Sequence, residues 1–292
     1  MSKPDLRLAG LRRFAITISV VNILGHIVLG FESSWAQMFV ALFTAYATEI
    51  VLEIVDARAN ERACRFTGGT WKLIDFLLSA HIAGLAVSML LYTGELLLPF
   101  AFASAVAIAS KALFRLPVDQ SRRHFLNPSN TGIALTVLLF PALSPIMPWQ
   151  FTEGLSTGTS RAFPVLLLCL GIFMNWRYSK RLPLVLGWVL AFAVQGVLRC
   201  FMNELPFIVG LIPMTGVGFI LFTFYMVTDP GSTPTHWREQ LIFGGLIGLV
   251  YSLLVLAQVS YGFYYALFIV CFSRGLILHL KAAKLRAYPL TS

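Results

Sequence analysis

Apolar side chains in this chain come in long unbroken runs, neither at the spacing of one helix face nor in the alternation of a half-buried strand. About ten such runs lie at 14–31, 35–55, 73–92, 96–110, 130–146, 163–176, 183–199, 207–227, 241–257 and 261–279. A helix crossing hydrocarbon needs about 20 apolar residues, fewer where it is broken or shielded inside a bundle. The pattern therefore predicts an all-α polytopic membrane protein with about ten transmembrane helices. The runs 96–110, 130–146 and 163–176 are short. Short apolar segments ending at Gly or Pro mark places where helices break to line a cavity. The first run follows a basic start and extends from Phe14 to Phe31 without a small-residue cleavage site, which predicts a retained span, not a cleaved leader.

Composition agrees with this reading. Of 292 residues, 58% are hydrophobic and 12% charged, with a mean hydropathy of +0.78; soluble domains carry roughly 25% charged residues. The excess of 22 Lys and Arg over 13 Asp and Glu would suggest nucleic acid in a soluble chain. Here the positions argue otherwise, and no nucleic-acid partner is expected. Lys3, Arg7, Arg12 and Arg13 precede the first run, and Arg58, Arg62, Arg65 and Lys72 follow the second. Lys111, Arg115, Arg122 and Arg123 follow the fourth, Arg177, Lys180 and Arg181 the sixth, and Arg238 the eighth. Arg274, Lys281, Lys284 and Arg286 lie at or beyond the end of the tenth. The intervening connections carry little: Glu32, Glu95, Glu153 with Arg161, Arg199 with Glu204, and Gln258. Basic residues accumulate on the cytoplasmic side, so the alternation predicts both termini in the cytoplasm and an even number of spans. The four cysteines form no CxxC and no metal-ligand spacing, which suits small buried hydrophobes.

Polar residues inside the runs are candidates for chemistry. Asn22 and His26 share a helix face, as do Glu49 and Glu53, and Glu49 is a candidate for ion or proton handling. The same two carboxylates also suit an interfacial position, since their run ends at Asp56. His26 and His81 raise the idea of a haem held between two helices, but their depths do not match.

Two stretches interrupt the apolar pattern in the same way. "HFLNPSNTGIAL" (124–135) and "YMVTDPGSTPTHWREQLIFGGLIGL" (225–249) each run from an apolar approach through a polar-residue–Pro break into a Gly-containing helix. Paired breaks mark sites at the interface of repeats; two ordinary Asx-Pro turns capping the next helix would read alike. A third stretch, "GLSTGTSRAF" (154–163), gathers Ser156, Thr157, Thr159 and Ser160 between two apolar runs, on the outer side by the charge count.

These stretches carry a resemblance. "HFLNPSNTGIALTVLLFP" and "YMVTDPGSTPT" are similar to the His-x-x-Asn-Pro and Thr-Asp-Pro-x-Ser-x-Pro signatures of a flavin-bearing family. Its members include the flavin-carrying membrane components of the Na+-translocating NADH:quinone reductase and of the Rnf electron-transport complex. "SAHIAGLAVSMLL" resembles the family's Ser-Ala-x-x-Thr-Gly-Leu segment, with Ala83 where Thr is usual. The likeness covers roughly residues 73 to 278. Among family members the chain most resembles stand-alone proteins, including those encoded beside enediyne biosynthesis genes. The resemblance implies two five-helix repeats, 1–146 and 163–292, joined by an outward loop at 147–162, in a bacterial cytoplasmic membrane. It further implies FMN attached by a phosphodiester to a threonine in that loop, within a motif close to Asp-Gly-x-Ser-x-Ala-Thr. Laid on "EGLSTGT", the motif places Glu153 at Asp, Gly154 at Gly, Ser156 at Ser, Gly158 at Ala and Thr159 at the flavin-bearing threonine.

Asn127 and Asn130 at one break, and Thr228, Asp229, Ser232 and Thr235 at the other, are candidates to bind a second, non-covalent flavin such as riboflavin, or to form the far end of an electron path. No GxGxxG follows a strand-like segment and no iron–sulfur cysteine cluster occurs, so a redox partner protein would deliver electrons, with a quinone or another small acceptor beyond. Two other classes stay open: a cofactor-free transporter or channel whose breaks bind a substrate or ion, and an assembly subunit.

Overall fold

The computed structural model describes residues 6–118, 121–143, 151 and 155–287. Helices dominate. In chain order they are α1 (Leu6–Leu24), α2 (Trp35–Ala59), α3 (Thr70–Leu90), α4 (Leu98–Leu113), α5 (Pro128–Leu139), α6 (Thr157–Met174), α7 (Leu182–Met202), α8 (Phe207–Leu211), α9 (Val217–Leu221), α10 (Trp237–Leu256) and α11 (Gly262–Ala287). Strands β1 (Arg115–Val118) and β2 (Ser121–His124) form an antiparallel hairpin between α4 and α5, with Arg115 opposite His124.

Each apolar run contains helix among its described residues, although in the run 130–146 the helix stops at Leu139. Among the described residues seven helices are long and apolar enough to cross a membrane, and an eighth span results if α8 and α9, bent by 68° at Gly216, count as one. The protein is therefore an all-α, multi-pass membrane protein. Helices α4 and α5, at 16 and 12 residues, fall short of a full crossing. Large apolar side chains such as Phe43, Val55, Leu190, Phe201 and Leu249 are exposed, as they must be on a lipid-facing surface.

Contacts divide the chain into two compact units: Met1–Ala112 with Thr131–Thr157, and Leu113–Asn130 with Gly158–Ser292. The hairpin and the first Asx-Pro break thus belong with the later half of the chain. In lipid, helices associate through close packing and polar contacts, without a hydrophobic drive between them, and small residues let backbones approach. Both units use this device. In the first, a Cβ on Gly84 of α3 would sit 3.1 Å from the Ala41 carbonyl of α2, and one on Gly132 of α5 would strike the Ala103 carbonyl of α4. In the second, α7 and α10 interlock through Gly187 against the Leu241 carbonyl and Gly244 against that of Leu184. Beside this seam Trp188 is wholly buried, ringed by Phe192, Phe219, Phe222, Tyr251 and Phe263 at 5.5–5.9 Å between ring centres. Its indole N–H donates to Thr223 Oγ1 at 2.9 Å, so the one polar atom of the cluster's tryptophan is satisfied.

Two helices end alike. α1 widens into a π-turn over Gly25–Leu29, closed by Gly30 in the left-handed conformation with its N–H on the Gly25 carbonyl. α6 widens over Asn175–Ser179 and closes on Lys180, also left-handed, with its N–H on the Asn175 carbonyl. In each case the next residue, Phe31 or Arg181, donates a second N–H to the same carbonyl, at 3.0 and 3.1 Å. A left-handed Cβ costs roughly 1 kcal/mol, which glycine avoids at position 30 and Lys180 does not.

Candidate functional site

The two Asx-Pro breaks, a hundred residues apart, meet within the second unit. The hairpin delivers the first of them. Phe125, next after β2, donates its N–H to the Phe114 carbonyl at 3.1 Å and packs its buried ring where a Cβ on Gly275 of α11 would lie. Asn127 then caps α5. Its Oδ1 accepts from the Asn130 N–H at 2.9 Å and from Ser129 Oγ at 3.2 Å, with Pro128 in the first helical position. Its Nδ2 donates to the Met226 carbonyl, 2.8 Å away at the end of the second approach. Asn130 Nδ2 donates to the Tyr264 carbonyl of α11 at 3.0 Å, while its buried Oδ1 has no partner. The two amides thus tie one break to the main chain on either side of the other.

At the second break Asp229 plays the capping role. Its Oδ2 accepts from the Ser232 N–H at 3.0 Å and from the Ser232 hydroxyl at 2.8 Å. His124 Nε2 stands 3.5 Å from the same oxygen, farther than a good hydrogen bond. A Cβ on Gly231 would collide with the His124 ring, so glycine is what lets the two breaks close on each other. Burial pushes the Asp229 carboxyl up, but the neighbouring His124 ring and the donors of Ser232 and Gly231 outweigh it and hold the group below the ordinary Asp value of 3.8. Thr228 Oγ1 donates to the Phe224 carbonyl at 2.7 Å. That carbonyl also receives Asn175 Nδ2 from the end of α6, at 2.9 Å.

Of the residues singled out in the sequence, Asn127, Asn130, Thr228, Asp229 and Ser232 therefore come together. Thr235 is exposed, and its carbonyl serves Gln240 Nε2 at 2.9 Å. Thr159, Gly158 and Ser156 lie elsewhere. Thr159 sits in the first turn of α6, so residues 157–162 are helical, not a loop. Sixteen residues of helix separate Thr159 from Asn175, a rise of about 24 Å. Thr159 and Gly158 are exposed, and a Cβ at Gly158 would meet nothing within 4 Å. Glu153 and Gly154 lie outside the described residues.

His124, Arg181 and Arg274 join the breaks without having been singled out. His124 stands first in its motif, and Arg274 interrupts an apolar run; both signals were visible. Arg181 looked like one more cytoplasmic charge. It is 6% exposed, and its Nε finds no partner. Burial holds its guanidinium below the usual range; Asp229 opposes that effect and the charge of Arg274 adds to it.

In the first unit the intramembrane carboxylates are paired. Glu49 Oε2 lies 2.5 Å from Lys111 Nζ, and Glu53, 1% exposed at its side chain, is held by Arg62 and Arg65. The ring nitrogens of His81 bond Ser19 Oγ at 2.7 Å and Tyr46 Oη at 2.5 Å, which leaves neither for haem iron. The chain matches no family model and no curated protein sequence.

Proposed function

We propose that the chain is a membrane flavoprotein that passes electrons between a partner donor and an acceptor such as a quinone, in the manner of the flavin-bearing family it resembles. In this reading ten helices form two five-helix repeats, both termini lie in the cytoplasm of a bacterium, and Thr159 carries FMN on the outer face. The observation that carries the proposal is the junction of the two signature breaks, made by Asn127 Nδ2 on the Met226 carbonyl. Two motifs that resemble one family's pair of signatures also share one place in the fold. The matched ends of α1 and α6 support the repeat.

The residues at hand fit a flavin unevenly. Thr159 fits attachment: an exposed hydroxyl at a helix start, beside a glycine with open space around it. At the breaks the Asn127 and Asn130 amide donors serve main-chain carbonyls. Among the described residues of this unit, the buried side-chain atoms without a partner are Asn130 Oδ1, Gln240 Oε1, His124 Nε2, Arg181 Nε and Gln195 Nε2. Flavin supplies the redox chemistry when bound; the protein supplies position and charge.

The visible absorption spectrum of detergent-purified protein, co-expressed with a flavin transferase, tests the reading. Yellow protein is expected, with a band that fluoresces after denaturing electrophoresis and loses that fluorescence in Thr159→Ala. A yellow native protein with a dark band would restrict the proposal to non-covalent flavin. Colourless protein overturns it, and colourless protein with uptake activity favours the transporter.

A further inference from the structure

The second unit holds a buried arginine and a half-buried one that no carboxylate among the described residues closely neutralises. Arg181 lies at the start of α7, fixed there by its own N–H on the Asn175 carbonyl at 3.1 Å. Arg274, half-buried on α11, makes one long hydrogen bond, Nη1 to the Ser232 carbonyl at 3.4 Å. Asn175, which holds the Arg181 N–H, also donates its Nδ2 to the Phe224 carbonyl shared with Thr228, so both arginines lie against the second break. Among the described residues neither guanidinium has a carboxylate oxygen within 4.0 Å. Asp229 and exposed Glu239 form no ion pair with either arginine within 4.0 Å. Asp229 Oδ2 already serves both donors of Ser232 and faces His124.

A guanidinium cannot shed its charge, and burying it without a hydrogen-bonded counterion is costly. Its planar fork of N–H donors matches phosphate oxygens two at a time, and paired arginines suit a group carrying two negative charges. We propose that Arg181 and Arg274, with His124 at their edge, form a binding site for a phosphate group at the junction of the two breaks. Its ligand is a phosphomonoester, inorganic phosphate or an anionic lipid headgroup. The lipid source has a place for its tail: Leu182 and Pro183, next after Arg181, line an open apolar groove of about 600 Å³ with Leu186, Phe224 and Trp237. The inference does not rest on the flavin reading, since it needs only the charges and their burial.

The test uses the full chain, purified in neutral detergent without phosphate and titrated with inorganic phosphate at constant ionic strength while thermal unfolding is followed. Phosphate is expected to raise the midpoint saturably, and chloride is not. Arg181→Gln and Arg274→Gln should each weaken the response about ten- to a hundredfold, as for loss of a hydrogen-bonded charge, and Arg181→Lys should keep part of it. In a parallel arm, native mass spectrometry of protein extracted from membranes reads retained phospholipid. Anionic lipid retained by the wild type and lost in Arg274→Gln, without a response to free phosphate, assigns the headgroup as the source. If Arg181→Gln does not fold, half-buried Arg274 carries the comparison. Absence of both a phosphate response and retained anionic lipid overturns the proposal, as do folded glutamine variants that behave like wild type. A colourless protein that binds phosphate would sink the flavin reading alone, and a yellow protein that binds neither ligand would sink only this one.

Discussion

Two clusters of buried charge, one in each unit, show how differently the same residue type can be housed. Around Glu53, Arg62 Nη1 approaches Oε1 at 2.6 Å, Arg65 Nε approaches Oε2 at 2.7 Å, and the Arg65 main-chain N–H adds a third donor at 2.7 Å. Arg62 also reaches Asp56. Around Arg181 and Arg274 there is no such ring of partners among the described residues. The difference lies in the connections. The stretch from Asn60 to Gly69 between α2 and α3 is long enough to fold its arginines back onto the end of α2. After the π-turn that ends α6, only Lys180 and Arg181 precede α7, so Arg181 is pinned at a helix start and brings no acid with it. A long connection closes its own charges, and a short one leaves them for something else.

The largest effect should come from opening the closed cluster. Glu53→Gln keeps the shape and removes the charge, leaving two guanidinium groups around a neutral amide. Breaking a buried pair from one side costs about 3 kcal/mol or more. The unfolding midpoint of purified protein should fall by roughly 6–10 °C at that cost, and added phosphate should not restore it.

Asp229→Asn should act less strongly and in two directions. Replacing the charged acceptor of Ser232, which also faces His124, by a neutral amide destabilises the junction, by about 1–3 kcal/mol for a hydrogen-bonded charged group. Removing a negative charge near Arg181 should at the same time tighten phosphate binding severalfold, read in the same titration. The pH dependence has a definite sign. Asp229 is held below its ordinary value of 3.8 in the folded state, so its contribution is complete above that value. It is lost as pH falls through the lower, folded one. Unfolding midpoints measured downward from pH 5 should therefore drop more steeply in wild type than in Asp229→Asn.

Much of the architecture could be read from the chain. Every apolar run contributed helix among the described residues, because in hydrocarbon a helix is how a segment satisfies its own main chain. The breaks were legible as Asn-Pro and Asp-Pro pairs, and they cap α5 and the turn before α10 as such pairs do. Their meeting was not legible. Nothing in residues 124–135 names Met226 or Tyr264 as a partner; that pairing depends on the hairpin and on Phe125 seating against Gly275. Charge was the least transparent feature. Glu49 read as a candidate for ion or proton handling or as an interfacial residue, and its partner Lys111 lies two helices away. Arg181 looked like a solvated cytoplasmic residue, since position along a chain does not tell a side chain that snorkels from one that folds inward.

The smallest expected effect tests whether burial, not geometry, separates the two clusters. Arg12 and Asp75 form a well-made fork, Nε to Oδ1 at 2.8 Å and Nη2 to Oδ2 at 2.7 Å. Its two bonds are about as short as those at Glu53, but Arg12 is 49% exposed at its side chain and Asp75 23%. Water and salt already compete for these charges, so exchanging the carboxylate for an amide loses little. Asp75→Asn should move the unfolding midpoint by no more than about 2 °C, on the scale of an exposed pair, and by less as salt rises. A loss as large as that of Glu53→Gln would mean that bond geometry alone sets the worth of these pairs. The want of close partners around Arg181 would then carry no cost, and with it would go the reason for a phosphate to bind there.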